Sequence, residues 1–220
     1  CMMRERDICQ MTAIPVFVNR GFRHGIIWVR KDSNLNSITD LENSKVGIKE
    51  YSQTAAVWLR GILLEEYDLH WSSIYWYANK TQRFIPPTEA NVKLISGDPE
   101  ELLINGELDA YVAPRPLDLK KSPKDRVLRP LINNYAEVEK KYFETSGIYP
   151  INHCVMIHHD VITKYPELGY SIFKAYSKSK EKALKRKLGA TLLPWVDRQW
   201  SEIIELFDND PYPHGLTEPN

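Results

Sequence analysis

Three cationic or titratable side chains come directly after a short apolar run. Arg20, Arg23 and His24 follow Ala13-Ile14-Pro15-Val16-Phe17. Sites in α/β proteins are built at such strand ends, and two guanidinium forks there suit carboxylate binding. His24 has the chemistry of an acid, a hydroxyl partner or a metal ligand. The competing reading is a surface turn with one structural histidine. Ser52, Gln53 and Thr54 open a helix after a strand, where backbone N–H groups point outward and favour an anion. Ser52 equally fits plain N-capping. Arg115 stands between Pro114 and Pro116 on a stiffened backbone, a ligand clamp or an ordinary surface arginine. His153 begins a strand close to Pro150, a second candidate acid or a satisfied core histidine. Tyr51 and Trp58 read as packing residues.

Other groups of suitable type lack suitable spacing. His158-His159-Asp160 looks like a metal cluster, but adjacent strand residues point to opposite faces. They read instead as a strand end and a helix start, and no metal or cofactor is expected. Cys1, Cys9 and Cys154 are odd in number and show no CxxC spacing, which argues against a disulfide framework or a zinc site. Cys154 reads as a small core residue. Neither a glycine-rich phosphate loop nor a GxSxG elbow occurs.

The elements that would position these residues alternate between strand and helix patterns, which points to an α/β fold. Strands are expected at 13–17, 25–30, 45–48, 71–77, 92–95, 108–113 and 152–157. The helix after Ser52 carries Ala55, Leu59, Ile62, Leu63 and Tyr67 at helical spacing. Asp98-Pro99-Glu100-Glu101 is a strong helix start and Gly106 its stop. Residues 120–129 read as a solvated loop. A long helix is expected over 166–187 and a last one over 195–207. Residues 44–113 then form an inserted lobe, and 1–43 with 114–220 form a first lobe, joined by two crossings. Hinged lobes with two crossings close around ligands.

Composition sets the limits. The 220 residues are 43% hydrophobic and 26% charged, with a formal net charge of zero. That supplies a core and shows no basic excess for nucleic acid. No apolar run reaches the roughly 18 residues of a membrane span. The start is too charged for a signal peptide, so a cytoplasmic location is expected, or a periplasmic one if a leader was lost. A first-position cysteine carrying a lipid is the minor alternative.

Several segments resemble the 4,5-dihydroxyphthalate decarboxylase family. They include Ala-Ile-Pro-Val-Phe-Val-Asn-Arg-Gly-Phe-Arg-His (13–24), Asp40-Leu41 followed by Lys45-Val-Gly-Ile, and the most specific piece, Glu-Tyr-Ser-Gln-Thr-Ala-Ala-Val-Trp-Leu-Arg-Gly-Ile-Leu (50–63). Gly106-Glu-Leu-Asp-Ala, Pro114-Arg-Pro, Gly147-Ile-Tyr-Pro-Ile-Asn-His and Asp210-Pro-Tyr-Pro-His-Gly-Leu continue it in order. The resemblance implies the periplasmic-binding-protein type II fold and a cofactor-independent carboxy-lyase acting on a dihydroxylated aromatic diacid. Family members usually begin with a further strand and helix, so the first lobe is expected to be incomplete. On this reading Arg20, Arg23, Arg115 and the 52–54 turn bind carboxylates, and His24 or His153 handles the proton. The alternative is a solute-binding protein that holds a small carboxylate without chemistry. The expected partner is that small carboxylate, with self-association left open.

Overall fold

The computed structural model describes residues 10–79, 84–188 (backbone alone at 187–188) and 195–216. Cys1 and Cys9 lie outside the described residues. The chain divides into two compact units at the Gly21–Phe22 and Pro150–Ile151 junctions.

The unit from Phe22 to Pro150 holds β2 (Ile27–Arg30), β3 (Lys45–Ile48), β4 (Tyr75–Ala78), β5 (Val92–Leu94), β6 (Ala110–Val112) and β7 (Leu128–Pro130). Its helices are α1 (Thr54–Tyr67), α2 (Pro99–Ile104) and α3 (Tyr135–Ser146). The six strands form one sheet in the order β5-β4-β3-β6-β2-β7. Strands β5, β4, β3 and β6 run parallel, and β2 is antiparallel to both β6 and β7.

Both faces of this sheet are covered, and the strand sequences show it by alternation. Ile27, Val29, Val46, Ile48, Ala110 and Val112 join Ala55, Leu59 and Leu63 of α1 in one buried cluster. Trp28, Tyr111 and Ala113 turn the other way and join Leu103 of α2. Gly47 lies on that second face, where a Cβ would come within 2.9 Å of Pro99 Cβ. Only glycine lets α2 approach this closely.

The other unit holds β1 (Met11–Arg20) and β8 (Ile151–His158), an antiparallel pair with irregular register along its length. It also holds α4 (His159–Lys164), α5 (Leu168–Leu188) and α6 (Val196–Leu206). Ile14, Val16 and Ile157 form a buried apolar cluster, backed by Leu168, Ile172 and Phe173 of α5. No described helix is long and apolar enough to cross a membrane.

The α/β reading is correct, and several boundaries differ from expectation. The unit junctions fall at 21/22 and 150/151, not at 43/44 and 113/114, because β2 pairs with β6 and β7 in the same sheet as the expected insert. The 120–129 loop leads into β7, and α3 lies between residues 129 and 152, where no helix was expected. Residues 24–26 and 71–73 are short 3-10 turns ahead of strands, not strand themselves. His158 ends β8 and caps α4 as expected, its Nδ1 accepting the Asp160 N–H.

Candidate functional site

The connections within the sheet create a switch point between β3 and β6. From β3 the chain passes through α1 to β4 and β5 on one side. It then returns through α2 to β6 on the other side of β3. Loops leaving two adjacent parallel strands in opposite senses leave a crevice beyond their carboxyl ends, where ligands of open α/β sheets bind. A cavity of about 170 Å³ lies there, lined by Lys49 and Gln53 after β3 and by Ala113, Pro114 and Arg115 after β6. Asp98, Glu100 and Tyr111 also line it, with Val112 and Leu117.

The electrostatics of this wall are asymmetric. Among the described residues, neither Lys49 nor Arg115 has a hydrogen-bond or ion-pair partner. The two carboxylates are both engaged: Asp98 accepts the Glu100 N–H, and Glu100 accepts two backbone N–H groups. Gln53 occupies the N-cap of α1 and makes no side-chain cap, so the first-turn N–H groups keep their orphan donors. Ser52 was expected at that cap. Its hydroxyl instead donates to Glu50, because the turn ends one residue later. Thr54 is the first helical residue and is exposed. Tyr111 is buried at the cavity wall, and burial raises its phenol well above the ordinary value, with Asp98 and Glu100 adding to the shift. It stays protonated and can only donate or accept as a neutral hydroxyl.

Arg23 and His24 lie in the same unit but around a second hollow. His24, only 1% exposed, borders a cavity of about 540 Å³ with Tyr67 and Tyr142. None of that cavity's lining residues belongs to the first. Burial lowers the His24 pKa to about 4, so the ring is neutral near pH 7 and has no extra proton to give. Its ring sits 5.3 Å from that of Tyr142. Arg23 is buried, and that burial lowers its pKa against the opposing pull of Glu139. Glu139, raised by burial, accepts the Gly25 N–H at 2.9 Å. This cluster ties the start of β2 to α3. Arg20 and His153 belong to the other unit: Arg20 is buried with its guanidinium 4.6 Å from the Phe17 ring, and His153 is exposed opposite Asn19.

Comparison with known proteins finds sequence similarity to two decarboxylases. The chain is 29% identical over 220 aligned positions to the 4,5-dihydroxyphthalate decarboxylase of Comamonas testosteroni, covering 94% of this chain and 66% of that protein. It is 34% identical over 114 positions to the 4,5-dihydroxyphthalate decarboxylase of Pseudomonas putida, covering 47% of this chain and 44% of that protein. This chain is similar in sequence to both of these 4,5-dihydroxyphthalate decarboxylases. It thus spans a little under two thirds of one such decarboxylase and under half of the other. No protein-family model matches it. Its fold resembles that of the periplasmic aliphatic sulphonate binding protein of Escherichia coli, with a TM-score of 0.53 at 13% identity over 96% of this chain and 63% of that one. The fold is therefore the periplasmic-binding-protein type II fold, as the sequence resemblance implied.

Of the expected site residues, the structure brings Gln53 and Arg115 to one cavity and leaves His24 at another. Sequence reasoning missed Lys49, Tyr111 and Glu100. Lys49 had a usable signal, since it directly follows the Lys45-Val-Gly-Ile strand. Tyr111 and Glu100 had none, because only the packing of α2 beside β6 brings them together.

Proposed function

We propose that this chain carries the anion-binding cavity of a cofactor-independent carboxy-lyase acting on a dihydroxylated aromatic diacid of the 4,5-dihydroxyphthalate type. The observation that supports it is the convergence of two cations, Lys49 and Arg115, unpartnered among the described residues, with the uncapped start of α1 at the β3/β6 switch point. The homology to 4,5-dihydroxyphthalate decarboxylases supplies the reaction class. Arg115 offers a fork for one carboxylate, and the α1 N–H groups offer dipoles for an anion. In the reaction the bond between ring carbon and carboxylate carbon breaks and CO2 leaves. The electron pair stays on the ring carbon, which then takes a proton. The ammonium group of Lys49 is the donor in this reading, reprotonated afterwards from water. His24 is set aside for this step because its ring is neutral near pH 7 and borders the other cavity.

The direct experiment is incubation of the protein with 4,5-dihydroxyphthalate, following CO2 and 3,4-dihydroxybenzoate. Both products are expected in equal amounts. Arg115→Ala is expected to raise KM by about tenfold or more, the loss of one charge-assisted contact. Ligand held without product would reduce the protein to a carboxylate-binding one.

A further inference from the structure

We propose that Glu100 is a positioning residue, whose buried carboxylate fixes the segment that presents Arg115 to the anion cavity. The inference rests on the reading of that cavity as an anion site. A carboxylate in such a wall opposes the ligand, and its presence needs a reason. Glu100 is 5% exposed, and each of its oxygens is occupied. Leu117 N–H donates to Oε2 and Asp118 N–H to Oε1, both at 2.7 Å. Asp118 carries the link onward: Val127 and Leu128 N–H groups donate to its Oδ2 at 2.9 Å. Lys121 Nζ lies 2.8 Å from its Oδ1. Burial pushes the Asp118 carboxyl up, but Lys121 and the two N–H donors outweigh that and hold it below the ordinary carboxylate value. On the near side, Trp28 Nε1 donates to the Ala113 carbonyl at 2.8 Å. Arg115 therefore sits between two anchored points, Ala113 and Leu117-Asp118, with Pro114 and Pro116 limiting the backbone between them. A short segment held this way loses little freedom when its guanidinium meets a ligand, which is the benefit of preorganisation.

The test is calorimetric titration of the protein with phthalate, a dianion that lacks the ring hydroxyls, alongside substituted forms. Glu100→Gln keeps the size of the side chain, removes its charge, and turns an amide NH2 toward a backbone donor. Binding is expected to weaken by about tenfold or more. The loss should vanish when Arg115 is already alanine, because the two act through one contact. Equal or tighter binding by Glu100→Gln would mean that the charge merely opposes the ligand, and would overturn the proposal. A tenfold loss that persists beside Arg115→Ala would overturn it too. Should Glu100→Gln not fold cooperatively, Asp118→Asn carries the same test from outside the cavity lining, with the same dependence on Arg115. Failure of the unsubstituted protein to bind phthalate removes the cavity reading and the inference together. Binding without any loss on substitution removes the inference alone.

Discussion

The two units solve the burial problem differently. In the Phe22–Pro150 unit, strands β2 and β6 are buried on both faces, so their residues read as nearly unbroken apolar runs and fill two clusters in alternation. In the other unit, the β1–β8 pair buries Ile14, Val16 and Ile157, while Val18 of β1 is exposed. Two strands alone are marginal in water and depend on a helix for cover, here α5. The sheet covered on both faces can afford a hollow at its strand ends, because the frame around the hollow is over-determined. The lesson is that the candidate site belongs to the unit with the redundant core.

That contrast can be broken by truncating each core at its centre. Trp76 is fully buried, packs edge-on to Tyr51 at 6.0 Å between ring centres, and donates from Nε1 to the Trp71 carbonyl. Trp76→Ala is expected to destabilise by about 3–5 kcal/mol. Val16→Ala, also at a fully buried position, removes two methyl groups from a small cluster and should lose only about 1–3 kcal/mol. Urea unfolding followed by tryptophan fluorescence and circular dichroism measures both. A Val16 effect as large as that of Trp76 would erase the distinction.

Acid sharpens it next. His24 titrates near 4 in the folded chain and near 6.5 unfolded. Between these values the unfolded state binds more protons, so stability contributed by the neutral ring is complete above about pH 6.5 and is lost as pH falls toward 4. The difference corresponds to an effect on the order of 3 kcal/mol. Glu139, raised by burial, works in the opposite sense, its contribution declining as pH rises through its folded value. His214, in the other unit, is also lowered by burial and contributes a weaker acid loss of the same sign. His24→Leu should therefore flatten the melting temperature between pH 6.5 and 4. A slope unchanged by that substitution would place the acid sensitivity elsewhere.

The legible parts of the sequence were the local ones. Asp98 caps α2 through the Glu100 N–H, with Pro99 at its first turn, as the Asp-Pro-Glu-Glu signature predicts. Helix α1 follows its apolar spacing from Ala55 to Leu63. Helix α3 escaped detection because Tyr142 is its one buried residue, so no broad apolar face recurs at helical spacing. Strand β7 and the unit junctions escaped because they depend on pairing with β2, a contact that joins residues about a hundred positions apart. The site followed the same rule. Gln53 and Arg115 stand in recognisable turn contexts, whereas Tyr111 reaches the cavity only through tertiary packing, and His24 is drawn into a core that the basic run around it conceals.

Two glycines give the smallest and most discriminating test, because equal changes should have opposite signs. At Gly47 an added Cβ meets Leu108 Cδ1 at 2.8 Å and Pro99 Cβ at 2.9 Å. The leucine tip can rotate away, but the proline ring opens α2 and can yield only if the helix shifts. Gly47→Ala is therefore expected to lose about 1–3 kcal/mol, the usual penalty for overpacking. Because Pro99 adjoins Glu100, the shift should also weaken anion binding. Gly61, in the middle of α1, has nothing within 4 Å of an added Cβ. There alanine restores helix propensity and reduces unfolded-chain entropy, so Gly61→Ala should gain about 0.5–1 kcal/mol and leave binding unchanged. Urea midpoints measure the first pair of effects and phthalate titration the second. If Gly47→Ala loses stability but binds phthalate as tightly as before, α2 can move without disturbing Arg115, and the link from Pro99 through Glu100 to the cavity would be severed.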